Sequence, residues 1–232
     1  MTTTFITGAN KGLGHETARR LIAAGHTVLI GARDPRVGAA AAEELGARFI
    51  QLDVTDDASV AAAVADVERH EGVVDVLVNN AGIAGSAASP TDLTAADVQA
   101  VFDVNVLGIV RTTTAFLPLL HRSADPVIVN VSSGLGSVSI TRDEARVESH
   151  VVAPGYTASK AAVFMLTAQY AKAFPDIRIC AADPGYTATD LNGHNGPQTV
   201  TEGTDAIVGL ATEGPGHGTG RFVDRHGDLP WG

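Results

Sequence analysis

Apolar residues recur along the chain in two patterns. Short runs such as Val76-Leu77-Val78 and Val127-Ile128-Val129 are apolar at consecutive positions, without the alternation of a half-exposed strand. Runs of this kind suit strands covered on both faces. They predict strands at Thr3–Thr7, Thr27–Ala32, 48–52, 74–79, Val127–Val131, 177–182 and 220–223. Between them lie alanine-rich stretches that predict helices at 13–24, 37–45, 59–70, Ala95–Leu120, 158–174 and 202–212, with Thr94 and Asp97 spaced as a capping box. Strands alternating with helices imply an α/β fold: a Rossmann-like, doubly wound parallel sheet of about seven strands with helices on both faces. No repeat or linker interrupts the rhythm, so residues 1–232 are expected to form a single domain.

Two segments break the pattern. Residues 141–154 are charged and then apolar, and lie between a strand and a helix. Residues 186–200 are rich in Gly, Asn and Thr, the composition of a loop that covers a site.

Composition narrows the classes. With 45% hydrophobic and 18% charged residues there is ample core and no sign of disorder. A net charge of −10 argues against nucleic acid as a partner, which needs clustered cations. The lone Cys180 sits in an apolar run and reads as a core residue, and no Cys/His spacing suggests a metal. The N-terminus lacks the features of a signal peptide, and no apolar run reaches the roughly 18 residues of a membrane span, so a cytoplasmic protein away from membranes is expected.

Candidate chemistry begins directly after the first strand, at Thr7-Gly8-Ala9-Asn10-Lys11-Gly12-Leu13-Gly14. Glycines between a strand and a helix let the backbone turn sharply and approach a pyrophosphate, which the helix N-terminus attracts. The spacing, Gly-x-x-x-Gly-x-Gly, differs from the commoner dinucleotide fingerprint. Further along come Asn79-Asn80-Ala81-Gly82, Ser132-Ser133, Tyr156-Thr157-Ala158-Ser159-Lys160 and Pro184-Gly185. In kind and order these five motifs resemble the short-chain dehydrogenase/reductase family.

That resemblance implies a nicotinamide cofactor held by Gly8, Asn10, Lys11, Gly12, Leu13 and Gly14, by Asn80, Ala81 and Gly82, and by Pro184 and Gly185. It also places Asp53, with Val54, at the adenine, although Asp53 could equally cap the helix that follows. Thr187 and Thr189 would touch the carboxamide or phosphates, or be ordinary loop hydroxyls. At the end of the second strand stands Ala32-Arg33-Asp34, where members specific for NAD carry an acid at position 32. A carboxylate there would repel a 2′-phosphate, whereas Arg33 and Lys11 could grip one. NADP(H) is therefore the expected cofactor, provided Asp34 points away.

Tyr156 and Lys160 are four apart on an expected helix and share a face. A free phenol titrates at about 10, too high for easy exchange at neutral pH. An ammonium about 4 Å away at an effective dielectric near 20 is worth roughly 4 kcal/mol, enough to lower it by about 3 units. Tyr156 is thus the candidate general acid/base and Lys160 its activator. By resemblance Lys160 also holds the nicotinamide ribose, Ser133 holds the substrate oxygen, Ser132 is structural, and Asn105 positions Lys160 through water. His15, His150 and His194 read as surface or capping residues.

Ser133 and Tyr156 are 23 positions apart, more than is usual in the family. The surplus, 141–154, resembles in shorter form the insertion of the carbonyl-reductase branch. It would obstruct helix pairing, which favours a homodimer or monomer over a tetramer. Few large apolar residues, chiefly Tyr186 and Leu191, lie in the lid at 186–200, suggesting a shallow, open pocket. The expected activity is reduction of a ketone, aldehyde or quinone carbonyl to an alcohol on a small-molecule substrate of unknown identity. The alternatives are alcohol oxidation by the same site or a non-catalytic redox sensor. A nucleotide-sugar enzyme needs a larger C-terminal domain than the 47 residues after Gly185.

Overall fold

The apolar runs become the strands of one sheet in a computed structural model that describes residues 1–231. The strands are β1 (Thr3–Thr7), β2 (Thr27–Ala32), β3 (Arg48–Gln51), β4 (Val76–Asn79), β5 (Val127–Val131), β6 (Arg178–Ala182), β7 (Phe222–Asp224) and β8 (Gly227–Asp228). Their order is β3-β2-β1-β4-β5-β6-β7-β8, parallel throughout except for the last pair. β8 is a two-residue antiparallel addition that no hydrophobic run announced.

The helices are α1 (Gly12–Ala23), α2 (Pro35–Leu45), α3 (Asp57–His70), α4 (Ala95–Phe102), α5 (Gly108–Leu120), α6 (Val138–Arg142), α7 (Pro154–Ala173), α8 (Val200–Gly203) and α9 (Asp205–Thr212). The expected Glu202 helix thus begins earlier and breaks at Thr204. Each strand feeds both layers alternately. Ile6, Val28, Ile30, Val76, Val78, Val127 and Val129 pack with α1, α2 and α9. Phe5, Leu29, Leu77, Ile128 and Ile179 pack on the other face with α3 and α5. Both faces being apolar explains the unbroken runs. Cys180 is buried in the first layer, as expected of a core residue.

The Thr94/Asp97 capping box is present, and opens a helical stretch that runs from Ala95 to Leu120. By length and composition this stretch is the one helix among the described residues apolar enough to cross a membrane, which the search for an unbroken apolar run did not register. Here it packs against α3, α7 and the sheet. It is not uniform, because Asp103–Leu107 forms a wide π-helical turn that carries Asn105.

Polar groups also cross the core. Asn79 Nδ2 donates to Asn130 Oδ1 at 2.9 Å, and Asn130 Nδ2 donates to Thr167 Oγ1 of α7 at 2.9 Å. Thr112 Oγ1 completes Asn79 by donating to its Oδ1 at 2.7 Å. This line ties β4, β5, α5 and α7 in one register directly beneath the sheet's C-terminal edge. Replacing Asn130, which is fully buried, by leucine strands a donor on Asn79 and removes the donor to Thr167. The expected cost is about 2–4 kcal/mol, read as a lower urea midpoint at unchanged m.

Candidate active site

Strand order reverses between β1 and β4, so their following loops leave in opposite directions and open a crevice at the C-terminal edge. A cleft of about 840 Å³ occupies this position. Its floor is built by the glycine loop and the Asn79–Gly82 turn. Thr7 Oγ1 accepts the N–H groups of Asn80 (3.0 Å) and Ala81 (2.9 Å), and Asn80 Nδ2 donates back to Thr7 O (2.8 Å) and Gly8 O (3.0 Å). The loops lie so close that a Cβ on Gly14 would sit 2.5 Å from Asn80 Nδ2, besides 2.7 Å from Gly8 O within its own tight turn. Gly8, at φ +64°, would meet Ala81 Cα at 2.9 Å.

These residues suit a dinucleotide. No side chain caps the N-terminus of the 12-residue α1 and its first turn holds no acid, leaving N–H groups and positive potential for a pyrophosphate. Asn10, Lys11, Gly12, Leu13, Asn80, Ala81 and Gly82 all line the cleft, as do Arg33, Asp53, Val54, Pro184, Gly185, Thr187 and Thr189. Several are committed in ways that spacing could not reveal. Lys11 Nζ lies 2.8 Å from Asp190 Oδ2 in the lid, so this cation is already paired. Asp190 also holds His194 Nε2 at 2.8 Å. Thr187 Oγ1 donates to Pro184 O at 2.8 Å, and Thr189 shares a reciprocal cap with Asn192.

At the ribose end, Ala32 is buried and Arg33 is exposed on the cleft. Asp34 does not line it. Its Oδ1 accepts the N–H groups of Arg36 (2.8 Å) and Val37 (3.3 Å) and caps α2. Asp53 does not cap α3, a task that Asp56 performs. It accepts instead from Thr55 N (2.9 Å) and Thr55 Oγ1 (2.7 Å). Burial works to raise its carboxyl, but these bonds and the Arg33 and Arg111 charges hold it below the ordinary value.

Tyr156 and Lys160 share one face of α7, with Lys160 Nζ 5.5 Å from the centre of the tyrosine ring. Both line the cleft beside Ser133. Lys160 Nζ donates to Val131 O at 2.8 Å. Asn105 makes no direct bond to Lys160. Its Oδ1 accepts Ile83 N (2.9 Å), and its Nδ2 donates to Ile83 O (3.0 Å) and Ser159 Oγ (3.1 Å). The wide turn at 103–107 allows this clasp on the loop after β4. Both serines border the cleft, but Ser132 is buried, with Oγ 3.3 Å from Lys160 O, whereas Ser133 is partly exposed. His15, His150 and His194 do not line it.

The electrostatics differ from the sequence expectation. Burial pushes the Tyr156 phenol above its ordinary value and the Asp183 carboxylate adds to this, while a hydrogen bond with the Ser133 hydroxyl works the other way. Burial pushes Lys160 down to about 8, against the pull of Asp183. Lys160 does not make Tyr156 acidic in the protein alone, because desolvation disfavours charge on both groups. Asp183 was missed by sequence reasoning. It directly follows β6, is 3% exposed, accepts Gly185 N at 2.9 Å, and has its own carboxyl pushed up by burial. Only its place before Pro184-Gly185 hinted at it.

Segment 141–154 is not a featureless loop. It forms a turn at Val147–His150 braced by Arg146, whose Nη2 lies 2.9 Å from Glu148 Oε1. Val147, Glu148, Val151 and Val152 line the cleft, which is therefore walled rather than shallow.

Residues 2–199 match the family model described as short chain dehydrogenase. The chain is 37% identical to a short-chain dehydrogenase of Penicillium roqueforti, over 97% of this chain and 94% of that one. The solved structure of salutaridine reductase from Papaver somniferum superposes with a TM-score of 0.85 at 27% identity, covering 96% of this chain and 99% of that one. The 3-ketoacyl-(acyl-carrier-protein) reductase of Brucella melitensis, solved with NADH, gives 0.84 at 26% identity, covering 96% of each. The chain belongs to the short-chain dehydrogenase family, oxidoreductases that bind nicotinamide cofactors.

Proposed function

We propose that the protein is an NADPH-dependent reductase of ketones, aldehydes or quinones, with Tyr156 as the proton donor. The observation that carries this reading is the convergence of Tyr156, Ser133 and Lys160 on one cleft with the glycine-lined N-terminus of α1. Bound NADPH would supply the hydride. The Tyr156 and Ser133 hydroxyls face the position where a carbonyl oxygen can accept from both, so they would orient it and neutralise its developing charge. Tyr156 then gives up the proton. Lys160, held on Val131 O, keeps a positive charge beside the phenolate that results, and Asn105 fixes α7 through Ser159.

A phenol raised by burial stays protonated at neutral pH, the state from which Tyr156 can donate to a carbonyl oxygen. The preference for NADPH is supported by the capping role of Asp34, which turns that carboxylate away, and by Arg33, which has no salt-bridge partner among the described residues. Lys11 is the lesser contributor because Asp190 competes for it.

Three outcomes are expected. Tyr156→Phe keeps the ring and removes the acid, so carbonyl-dependent NADPH oxidation falls by about 10²–10⁴ while NADPH binding, followed by its fluorescence, persists. Arg33→Ala lowers kcat/KM for NADPH by about 10–100-fold and changes that for NADH little, since a charge-assisted phosphate contact is worth about 1.5–3 kcal/mol. Wild-type values equal for the two cofactors would overturn the NADPH preference. The third concerns Lys160, 5% exposed and pushed down to about 8. Above pH 8 the unfolded chain binds a proton at this residue that the folded one has released, so stability rises with pH through this window. Between pH 8 and 10 the cofactor-free protein should gain up to about 3 kcal/mol relative to Lys160→Met, read from urea midpoints at each pH.

A further inference from the structure

Ten large apolar side chains are exposed among the described residues, and six of them line the one cleft: Ile83, Val147, Val151, Val152, Tyr186 and Leu191. Apolar residues scattered singly over a surface need no explanation, whereas a patch gathered around a concave site marks a binding surface. Val152 is 73% exposed and Val147 51%, an uncommon degree of exposure for valines that a packed loop could have covered. Three of the six come from the segment between α6 and α7, two from the lid after β6 and one from the loop after β4. They therefore surround the mouth beside Tyr156.

Charge is distributed as unevenly. The only cations lining the cleft are Lys11 and Arg33 at the glycine-loop end and the buried Lys160. Five acidic residues line it: Asp53, Asp190, which is paired with Lys11, and Asp97, Glu148 and Asp183 on the α4, insertion and β6 sides. No histidine, lysine or arginine waits there for a carboxylate or phosphate. Glu148 is paired with Arg146, so the obstacle to an anion in that half is the lack of any free cation among its apolar walls to replace the lost hydration.

The wall is built to stay in place. Arg146 holds Glu148 through Nε (3.3 Å) and Nη2 (2.9 Å), and the Glu148 carboxylate sits 2.9 Å from where a Cβ on Gly134 would lie, against the loop after β5. Ser149 Oγ donates to Arg146 O at 2.8 Å and Val151 N to Glu148 O at 3.2 Å, closing the turn that presents the valines.

We infer that the segment 147–152, with Tyr186 and Leu191, forms the substrate-selecting wall of this site, and that its substrate is a bulky, uncharged, apolar ketone rather than an anionic carbonyl such as a keto acid, a sugar phosphate or a carrier-bound acyl group. This rests on the reductase reading and goes beyond it by naming the substrate class and the residues that choose it.

The test uses decalone, cyclohexanone, oxocyclohexanecarboxylate and propanal with the full chain and NADPH, together with calorimetric binding of decalone to the NADP-loaded protein. The expected order of kcat/KM places decalone above cyclohexanone, and oxocyclohexanecarboxylate roughly 100-fold below cyclohexanone, as a charge without a partner demands. In the double variant Val151→Ser/Val152→Ser the ratio of kcat/KM for decalone over propanal falls about tenfold, and decalone binding weakens in parallel. Arg146→Ala, which touches no substrate, should lower the same ratio by releasing the wall. If carbonyls are reduced but the carboxylate-bearing ketone performs as well as cyclohexanone, or the ratio ignores both variants, this inference is wrong and the reductase reading stands. If decalone binds as stated and the valine variants weaken it while no carbonyl is turned over, the wall is upheld as a binding surface and the reductase reading falls.

Discussion

The divergence of the loops after β1 and β4 is the constraint on which everything else in this protein hangs. A parallel sheet that reverses its winding at one point must leave a gap there, and only there can a ligand reach backbone groups without displacing a helix. Keeping the gap open is a steric problem. Gly8 and Gly14 solve it by omission, since a Cβ on either would run into backbone atoms of Ala81, Gly8 or Ala9. Thr7 and Asn80 solve it by attachment, exchanging four hydrogen bonds across the floor so that the loops are close yet unable to collapse onto each other.

Above that floor the site works against its own solvent. Burying a phenol and an ammonium together in a low-dielectric wall pushes both toward neutrality, and Asp183 nearby does not reverse this. A resting state with a protonated phenol is an advantage for a proton donor. Burial weighs on the lysine, whose charge Asp183 favours and whose Nζ is held by Val131 O. Rigid supports are needed for such an arrangement. The Asn79–Asn130–Thr167 line and the Asn105 clasp provide them from below and from the side. A polar core line of this kind fixes register where apolar packing alone would tolerate a shift.

Much of this was legible in the sequence, and the exceptions share a cause. Five of the strands were visible to within a residue because residues covered on both faces leave an unbroken apolar run. The Tyr156/Lys160 pairing was visible because helical spacing is fixed. Less legible were features set by tertiary contact. Val104-Asn105-Val106 reads the same in an α-helix or a π turn, so the wide turn was hidden. Lys11 looked like a free cation because its partner Asp190 is 179 positions away. Asp183 drew no attention in the sequence, because its influence on Tyr156 depends on burial that no local pattern encodes. The insertion was visible as charged and then apolar, but not that Arg146 and Glu148 pair with each other and leave the valines lining the cleft.

The position of that insertion has a consequence for how selection and chemistry are joined. It runs directly into Pro154, the first residue of α7, whose fixed φ starts the helix two residues before Tyr156. The proposed wall and the proposed proton donor are thus consecutive parts of one chain segment, Val152 being four positions from Tyr156. Yet their geometries are set by different forces. The Tyr156/Lys160 register is set by the helix and by the polar line at Thr167, whereas the wall is set by the Arg146–Glu148 brace resting on Gly134. A change in the brace can therefore move the valines without moving the phenol. A change in α7 must move both, because the wall has no other anchor on its C-terminal side than the helix itself. Within this segment, the part of the proposed wall that can be altered without disturbing α7 is the end at the brace, which carries no chemistry.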